Sequence, residues 1–234
     1  MSTSQADGTA ALYPFLYADA TANLAGVLDE AERSTRAKAA EIVTLREQVI
    51  RQDACKLADC ATAMATRFAA GGRLYTFGNG GSSTDASEVA TTFLHPPGGG
   101  TVRGARALPA LSLTSDIAVV TALSNDVGFD VVFSRQIGAF GRPGDIAFGL
   151  STSGGSQNVI RAFGEAARRG MLCVGLAGYD GGAMAELATI DYLFVIPSPS
   201  VHRVQEAQTT VYHLLWELTQ RALAEMKHHP GAAG

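Results

Sequence analysis

Two segments constrain the fold of this chain more than any other, because each runs from an apolar strand through a turn of small residues into a helix. The first is LYTFGNGGSSTDASE at residues 74–88, and the second is DIAFGLSTSGGS at residues 145–156. Strands that alternate with helices of this kind indicate an α/β fold with a parallel sheet and right-handed crossovers. The carboxyl ends of such strands meet at one crevice, so we expect both turns to lie there.

Both turns predict an anion-binding site. The first N–H groups of a helix have no intrahelical partner, and they lie at the positive end of the helix dipole. Neither turn contains a lysine or an arginine, so backbone amides and serine hydroxyls would bind the anion. This arrangement suits a phosphate monoester. The serines concerned are Ser82, Ser83, Ser151, Ser153 and Ser156.

Other phosphate-binding motifs match the two turns less well. Residues 78–83 read G-x-G-x-x-S, one position short of the dinucleotide-binding fingerprint, and no acidic residue ends a second strand about 20 residues later. The Gly-Lys-Ser/Thr of a Walker loop is missing. We therefore predict no nucleotide cofactor. The alternative that the glycines only make tight strand-to-helix turns stays open at this point.

Composition limits the classes of protein to which the chain can belong. A length of 234 residues with 47% hydrophobic residues fits one α/β domain with a buried core. A net charge of −4 and scattered lysines and arginines argue against nucleic acid or an anionic membrane surface as partner. No long apolar run and no signal-peptide pattern is present, so we expect a cytoplasmic protein. The three cysteines, Cys55, Cys60 and Cys173, are expected to be free thiols.

Periodicity along the chain predicts the order of its elements. Residues 16–68 have the pattern of a pair of amphipathic helices, and Gly71-Gly72 ends that region. Asp116 is expected to cap a helix over residues 117–123, which Ser124-Asn125-Asp126 would interrupt. The prediction is a three-layer, flavodoxin-like α/β sandwich with N-terminal helices, divided into residues 1–70, 71–227 and a flexible tail at 228–234. Its five parallel strands are expected at residues 74–78, 108–113, 145–150, 171–177 and 192–196.

Four separated motifs then carry a resemblance to a known family. GNGGS at 78–82, SND at 124–126, LSTSGGS at 150–156 and RVQEAQTTVYH at 203–213 resemble the sugar isomerase (SIS) domain, specifically its phosphoheptose isomerase branch. The match covers roughly residues 71–223. It implies a sugar phosphate substrate and a homotetramer with active sites at subunit interfaces. The substrate-binding residues predicted from the loops and the resemblance together are Asn79, Gly80, Gly81, Ser82, Asn125, Asp126, Ser151, Thr152, Ser153, Ser156 and Gln205.

Interconversion of a ketose and an aldose phosphate needs a base that moves a proton between neighbouring carbons. Taken alone, His213 among apolar neighbours is more typical of a packed core histidine. The resemblance instead implies that Gln205 and His213 line the active site and can ligate zinc. The family's second histidine and its catalytic glutamate correspond here to Glu88 and Thr92, and a threonine hydroxyl cannot act as a carboxylate base.

Two hypotheses follow from that departure. In the first, Glu88 and His213 are the catalytic residues of a phosphosugar isomerase, and Glu88, Gln205 and His213 are candidate zinc ligands. In the second, the chain is a noncatalytic SIS protein that binds a sugar phosphate or a protein partner, as the similar replication-initiator-associating protein does. His202 also stands where many family members have Asp, which weakens the expected contacts to sugar hydroxyls.

Overall fold

The computed structural model describes residues 24–96, 102 and 104–228. In this part of the chain five parallel strands form one sheet in the order β2-β1-β3-β4-β5. The predicted α/β class and five-stranded parallel sheet are therefore confirmed. The strands are β1 Leu74–Gly78, β2 Ala110–Ser112, β3 Ile146–Ser151, β4 Leu172–Gly178 and β5 Tyr192–Ile196.

Helices alternate with these strands, as right-handed crossovers between parallel neighbours require. Short 3₁₀ segments lie at Phe129–Val131 and Gly182–Glu186. The α-helices are α1 Leu24–Ala69, α2 Gly81–Leu94, α3 Ile117–Asp126, α4 Val132–Phe140, α5 Gln157–Arg168 and α6 Val201–His228.

The two faces of the sheet are covered by different helices, because successive strand residues point in opposite directions. Tyr75 and Phe77 of β1 belong to the buried cluster that α4 and α5 supply, and the Phe77 and Phe163 ring centroids lie 5.3 Å apart. Thr76, between them, points the other way and donates its hydroxyl to the Ala86 carbonyl of α2 at 2.6 Å. Helices α2 and α6 also contact each other, which places the two helices that carry Glu88 and His213 side by side.

Helix α1 is continuous, and among its described side chains it buries apolar residues only in the C-terminal part. Over the described residues the N-terminal region is a single helix rather than the predicted pair, and the part of the prediction before residue 24 lies outside them. From residue 45 onward the predicted apolar stripe is buried at Leu45, Val49, Leu57, Met64 and Phe68, whereas Leu28 is 59% exposed.

The chain divides into two units, Met1–Val43 and Thr44–Gly234, with the division inside α1. The described part of the first unit is helical, with surface ion pairs Glu30–Arg33 and Glu32–Arg36. All the elements from β1 onward belong to the second unit.

Helix α3 differs from its prediction. Asp116 caps it as expected, since Asp116 Oδ1 accepts hydrogen bonds from the N–H groups of Ala118 and Val119 at 3.0 and 3.1 Å. The expected interruption at residues 124–126 is wrong, because the helix continues through Asp126. The hydroxyl of Ser124 finds a partner within the helix, the Val120 carbonyl at 2.6 Å, so it does not compete with the helical backbone.

Strand β2 is also shorter than predicted, with three residues instead of six. It lies at the edge of the sheet and pairs only with β1 among the described strands. The apolar run at residues 108–113 is thus longer than the ladder that it forms. No helix in the described part of the chain is long and apolar enough to span a membrane.

Candidate functional site

The two serine-rich loops begin side by side. Strands β1 and β3 are neighbours in register, and Gly78 at the end of β1 pairs with Leu150 near the end of β3. Parallel neighbours lie about 4.8 Å apart, so the loops that follow leave the sheet together. From this pair the sheet extends to β2 on one side and to β4 on the other. Such a reversal of strand order is where open α/β sheets form their ligand crevice.

The first loop turns directly into α2. Gly80 occupies the position before the helix, and the N–H groups of Ser82 and Ser83 donate to the Asn79 and Gly80 carbonyls at 3.0 and 2.9 Å. No described side chain caps this helix end. Gly81 is constrained by a neighbour, because a Cβ there would lie 2.1 Å from Gln205 Nε2. The amide of Gln205 therefore lies against the first turn of α2.

The second loop is closed by its own hydroxyl groups. Ser151 Oγ and Ser156 Oγ lie 2.9 Å apart, and Ser151 is buried. Thr152 and Ser156 are half-buried and Ser153 is exposed, so the loop presents hydroxyls from its interior to its surface. The side chain of Ser156, at the N-terminus of α5, makes no capping bond to a described backbone N–H. An anion at this helix end would meet no competing cap.

The segment after β4 supports the second loop. Gly154 has φ +65°, and a Cβ there would lie 1.9 Å from the Gly181 carbonyl oxygen. The Met184 N–H donates to the Gly154 carbonyl at 2.9 Å. The segment that includes Gly181 and Met184 thus packs directly against this loop.

A pair of amides connects the two loops. Asn79 Nδ2 donates to Asn158 Oδ1 and Asn158 Nδ2 donates to Asn79 Oδ1, both at 2.8 Å. Asn79 belongs to the first loop and Asn158 is the second residue of α5, 79 positions later. Asn79 is a predicted substrate contact, whereas Asn158 is not among the predicted site residues.

Helix α6 brings the candidate base to α2. His213 Nε2 lies 3.3 Å from Glu88 Oε1, and the two side chains are 44% and 51% exposed. The candidate catalytic pair is therefore assembled as a direct carboxylate–imidazole contact that solvent or a ligand can reach. Thr92 lies on α2 one turn after Glu88 and is half-buried.

Asp85 lies on α2, one turn before Glu88, and its side chain also faces α6. Gln205 Nε2 donates to Asp85 Oδ2 at 3.5 Å. Burial raises the pKa of Asp85 to about 6; the hydrogen bond from Gln205 opposes that rise, and the charge of Glu88 adds to it. Asp85 thus carries a charge near neutral pH at an energetic cost.

Tyr212 packs behind the pair on α6. Its ring meets that of His213 edge to face, with centroids 4.9 Å apart, and its hydroxyl donates to Thr209 Oγ1 at 3.4 Å. Burial raises the pKa of Tyr212 to about 12, opposed by the Thr209 hydrogen bond and reinforced by the charges of Glu88 and Asp85. The phenol therefore stays protonated at neutral pH.

Two other predicted features lie on the surface. Asn125 and Asp126 form the exposed last turn of α3, and Asn125 Nδ2 donates to Asp126 Oδ1 at 2.8 Å. His202 lies exposed in the first turn of α6. The substrate-binding role of Asn125 and Asp126 stays a prediction.

The predicted zinc ligands fit a zinc centre poorly. Among the described residues no group of three or more His, Cys, Asp or Glu side chains is placed to hold a metal ion. Glu88 and His213 contact each other, and the third candidate, Gln205, offers an amide whose nitrogen is directed at Asp85. Protein zinc sites use at least three ligands drawn from Cys, His, Asp and Glu, and this set supplies two.

Sequence reasoning missed Asn158 as part of the site. Nothing local marks an asparagine in the first turn of a helix as the partner of another asparagine 79 positions away. The position of Asn158, two residues after the second serine-rich loop, could have indicated it, because both loops were already predicted to meet at one crevice.

Comparisons with known proteins identify the family of the chain. The SIS domain model matches residues 39–178. Phosphoheptose isomerase of Thermodesulfovibrio yellowstonii is 36% identical over 197 residues, covering 84% of this chain and 95% of the relative. Phosphoheptose isomerase of Pelodictyon phaeoclathratiforme is 42% identical over 179 residues, covering 76% and 83%.

The fold agrees as well. The solved structure of phosphoheptose isomerase from Neisseria gonorrhoeae superposes with a TM-score of 0.74 at 32% identity, covering 82% of this chain and 99% of that one. Because both the family model and relatives above 30% identity span most of the chain, it belongs to the SIS domain family and is phosphoheptose isomerase-like.

Proposed function

We propose that this chain is a phosphosugar aldose/ketose isomerase that interconverts a ketoheptose 7-phosphate, such as sedoheptulose 7-phosphate, and an aldoheptose 7-phosphate. The observation that carries the proposal is the combination of two adjacent loops rich in amides and hydroxyls with a carboxylate–imidazole pair on the neighbouring helices. The first feature suits a phosphate group, and the second suits proton transfer.

The phosphate would bind where α2 and α5 begin. We assign its binding to backbone N–H groups and to the hydroxyls of Ser82, Ser151, Ser153 and Ser156, and the positive ends of the two helix dipoles would favour an anion there. The predicted contacts from Gly80, Gly81 and Thr152 belong to the same two loops. Binding energy for the sugar would come from this phosphate group, which lies away from the reacting carbons.

The chemistry requires a proton to leave C1 of the ketose and to arrive at C2, while the proton of the C1 hydroxyl moves to the C2 oxygen. An enediol is the intermediate. His213 is the proposed base at carbon, and Glu88, 3.3 Å away, orients the imidazole and offsets its charge when it is protonated. Because the donor set supplies two zinc-type ligands, no step of this mechanism passes through a metal.

Solvent proton exchange tests the proposal. In D₂O, the protein should incorporate deuterium at C1 of sedoheptulose 7-phosphate, followed by NMR, and His213→Ala should lose about 100-fold or more of that rate. Glu225→Ala, an exposed change farther along α6, serves as the matched control and should exchange normally. Exchange that persists in His213→Ala would remove His213 from the role of base.

One observation favours the second hypothesis, a noncatalytic phosphosugar-binding or scaffold protein. Thr92 provides no carboxylate at the position where the family implies a catalytic glutamate. If the wild-type protein binds ketose phosphates of six to eight carbons yet exchanges no proton with any of them, the scaffold hypothesis replaces the isomerase.

Assembly and location complete the proposal. We propose a homotetramer with active sites at subunit interfaces, supported by the half-exposed Glu88–His213 pair and by exposed apolar residues Val27, Leu28 and Val43 on α1. All three cysteines are free, which suits the reducing cytoplasm. Size-exclusion chromatography with light scattering measures the assembly directly.

A further inference from the structure

We propose that Asn158 is a positioning residue: by pairing its amide with that of Asn79, it holds the two serine-rich loops at the spacing that a phosphate group requires. This inference rests on the proposed function, since it assigns the phosphate to both loops at once. It adds a residue that makes no predicted contact with substrate.

The side-chain amides of Asn79 and Asn158 form two reciprocal hydrogen bonds. Each side-chain amide gives one N–H and accepts one, and both donor–acceptor distances are 2.8 Å, within the range of good hydrogen bonds. Asn158 Oδ1 also accepts the Val159 N–H at 3.0 Å, which fixes the orientation of the amide on α5. Three hydrogen bonds thus hold the side-chain amide of Asn158.

The place of the pair gives it a role between the loops. The paired ladder of β1 and β3 brings Gly78 opposite Leu150, and beyond that point the chains turn away into α2 and α5. Asn79 is the next residue of the first loop, and Asn158 follows the second loop by two positions. The amide pair thus extends the connection between β1 and β3 past the end of their backbone pairing.

The hydrogen bonds of Asn158 separate this role from that of a binding residue. Asn158 is buried, and its amide already bonds to Asn79 and to the Val159 N–H. The Oδ1 and one Nδ2 proton of Asn79 are already engaged with Asn158. Asn158 acts on the phosphate through the position of the first loop.

Kinetics should reveal this role in a particular way. A phosphate group far from the reacting carbons is bound equally in the ground state and in the transition state. Losing such uniform binding raises KM and leaves kcat nearly unchanged. A purely structural role would instead lower the yield of folded protein or its stability, without changing the KM of the molecules that fold.

The experiment is a double-mutant cycle of Asn79→Ala and Asn158→Ala. Inorganic phosphate affinity is measured by calorimetry, and KM and kcat are measured for sedoheptulose 7-phosphate. Each single variant should bind phosphate about tenfold more weakly, the effect expected for a lost buried hydrogen-bonding pair. The double variant should be no weaker than either single variant, because each opens the same pair.

Gln136→Ala is the matched control. Gln136 is another buried amide with two hydrogen bonds, to the Leu113 and Val132 carbonyls at 3.0 Å each, but it belongs to α4. It should lose stability and keep the phosphate affinity. Asn79→Ala retains the bond from the Val159 N–H, so it supplies the measurement if Asn158→Ala does not fold.

Two results would overturn the inference: wild-type phosphate affinity in both single variants, or losses that simply add in the double variant. Failure of the proposed function has a different signature. A wild-type protein that binds inorganic phosphate but turns over no ketose phosphate refutes the isomerase, while the phosphate cycle still decides the role of Asn158.

Discussion

Replacing Asp85 with asparagine should stabilise the protein, and more so at neutral than at acidic pH. Burial raises the Asp85 pKa from 3.8 to about 6, so between these values the folded chain holds this proton more tightly than the unfolded chain does. The contribution of the Asp85 carboxyl group to the free energy of unfolding therefore falls as pH rises from about 4 to about 6, and it is lowest above pH 6. About two pKa units correspond to about 3 kcal/mol; because Asp85 is half-exposed, solvent screening reduces this to about 1 kcal/mol.

Urea unfolding from pH 4 to pH 8 measures the effect as the difference in unfolding free energy between Asp85→Asn and the wild type. The difference should be near zero at pH 4, where Asp85 is neutral like asparagine, and about 1 kcal/mol in favour of the variant at pH 7. The amide oxygen of the introduced asparagine would still accept the bond from Gln205. Asp29→Asn, an exposed change on α1, is the control and should give a small difference at every pH. A difference that does not change with pH, or that shrinks as pH rises, refutes the reasoning.

Three further predictions concern the site. Thr92→Glu should raise turnover of sedoheptulose 7-phosphate by about tenfold or more by restoring a carboxylate; unchanged turnover would show that Thr92 does not limit activity. Gly81→Ala should raise KM, because its Cβ would lie 2.1 Å from Gln205 Nε2 and displace the amide from α2; an unaltered KM counts against that contact. Zinc titration by calorimetry should show no stoichiometric binding, and tight binding that His213→Ala abolishes would reinstate a zinc centre.

The sheet and its helices could be predicted from the sequence because their signals are local. An apolar run such as that of β1, followed by small residues and a helical pattern, identifies a strand and its turn without any tertiary information. The helix at residues 117–126 shows where this reasoning fails. Ser124-Asn125-Asp126 is typical of a turn, yet the Ser124 hydroxyl is satisfied by a carbonyl one turn earlier and the helix continues.

The candidate site was predictable in part. The neighbouring positions of the two loops follow from the rule that parallel strand ends share a crevice. The contact between Glu88 and His213 was expected only because both residues were proposed to be catalytic. No sequence spacing indicates it, since 125 residues separate them and the packing of α2 on α6 brings them together. The same holds for the raised pKa of Asp85, which depends on burial that no local pattern reveals.

The amide bridge between residues 79 and 158 has a consequence for the folding of the protein. The proposed phosphate site takes one loop from the early part of the sheet and the other loop from its later part, so we expect neither portion alone to bind phosphate. Both portions must join before such a site can form. A phosphate compound that binds there would stabilise the folded chain, and abundant substrate would thereby protect the newly made chain from unfolding.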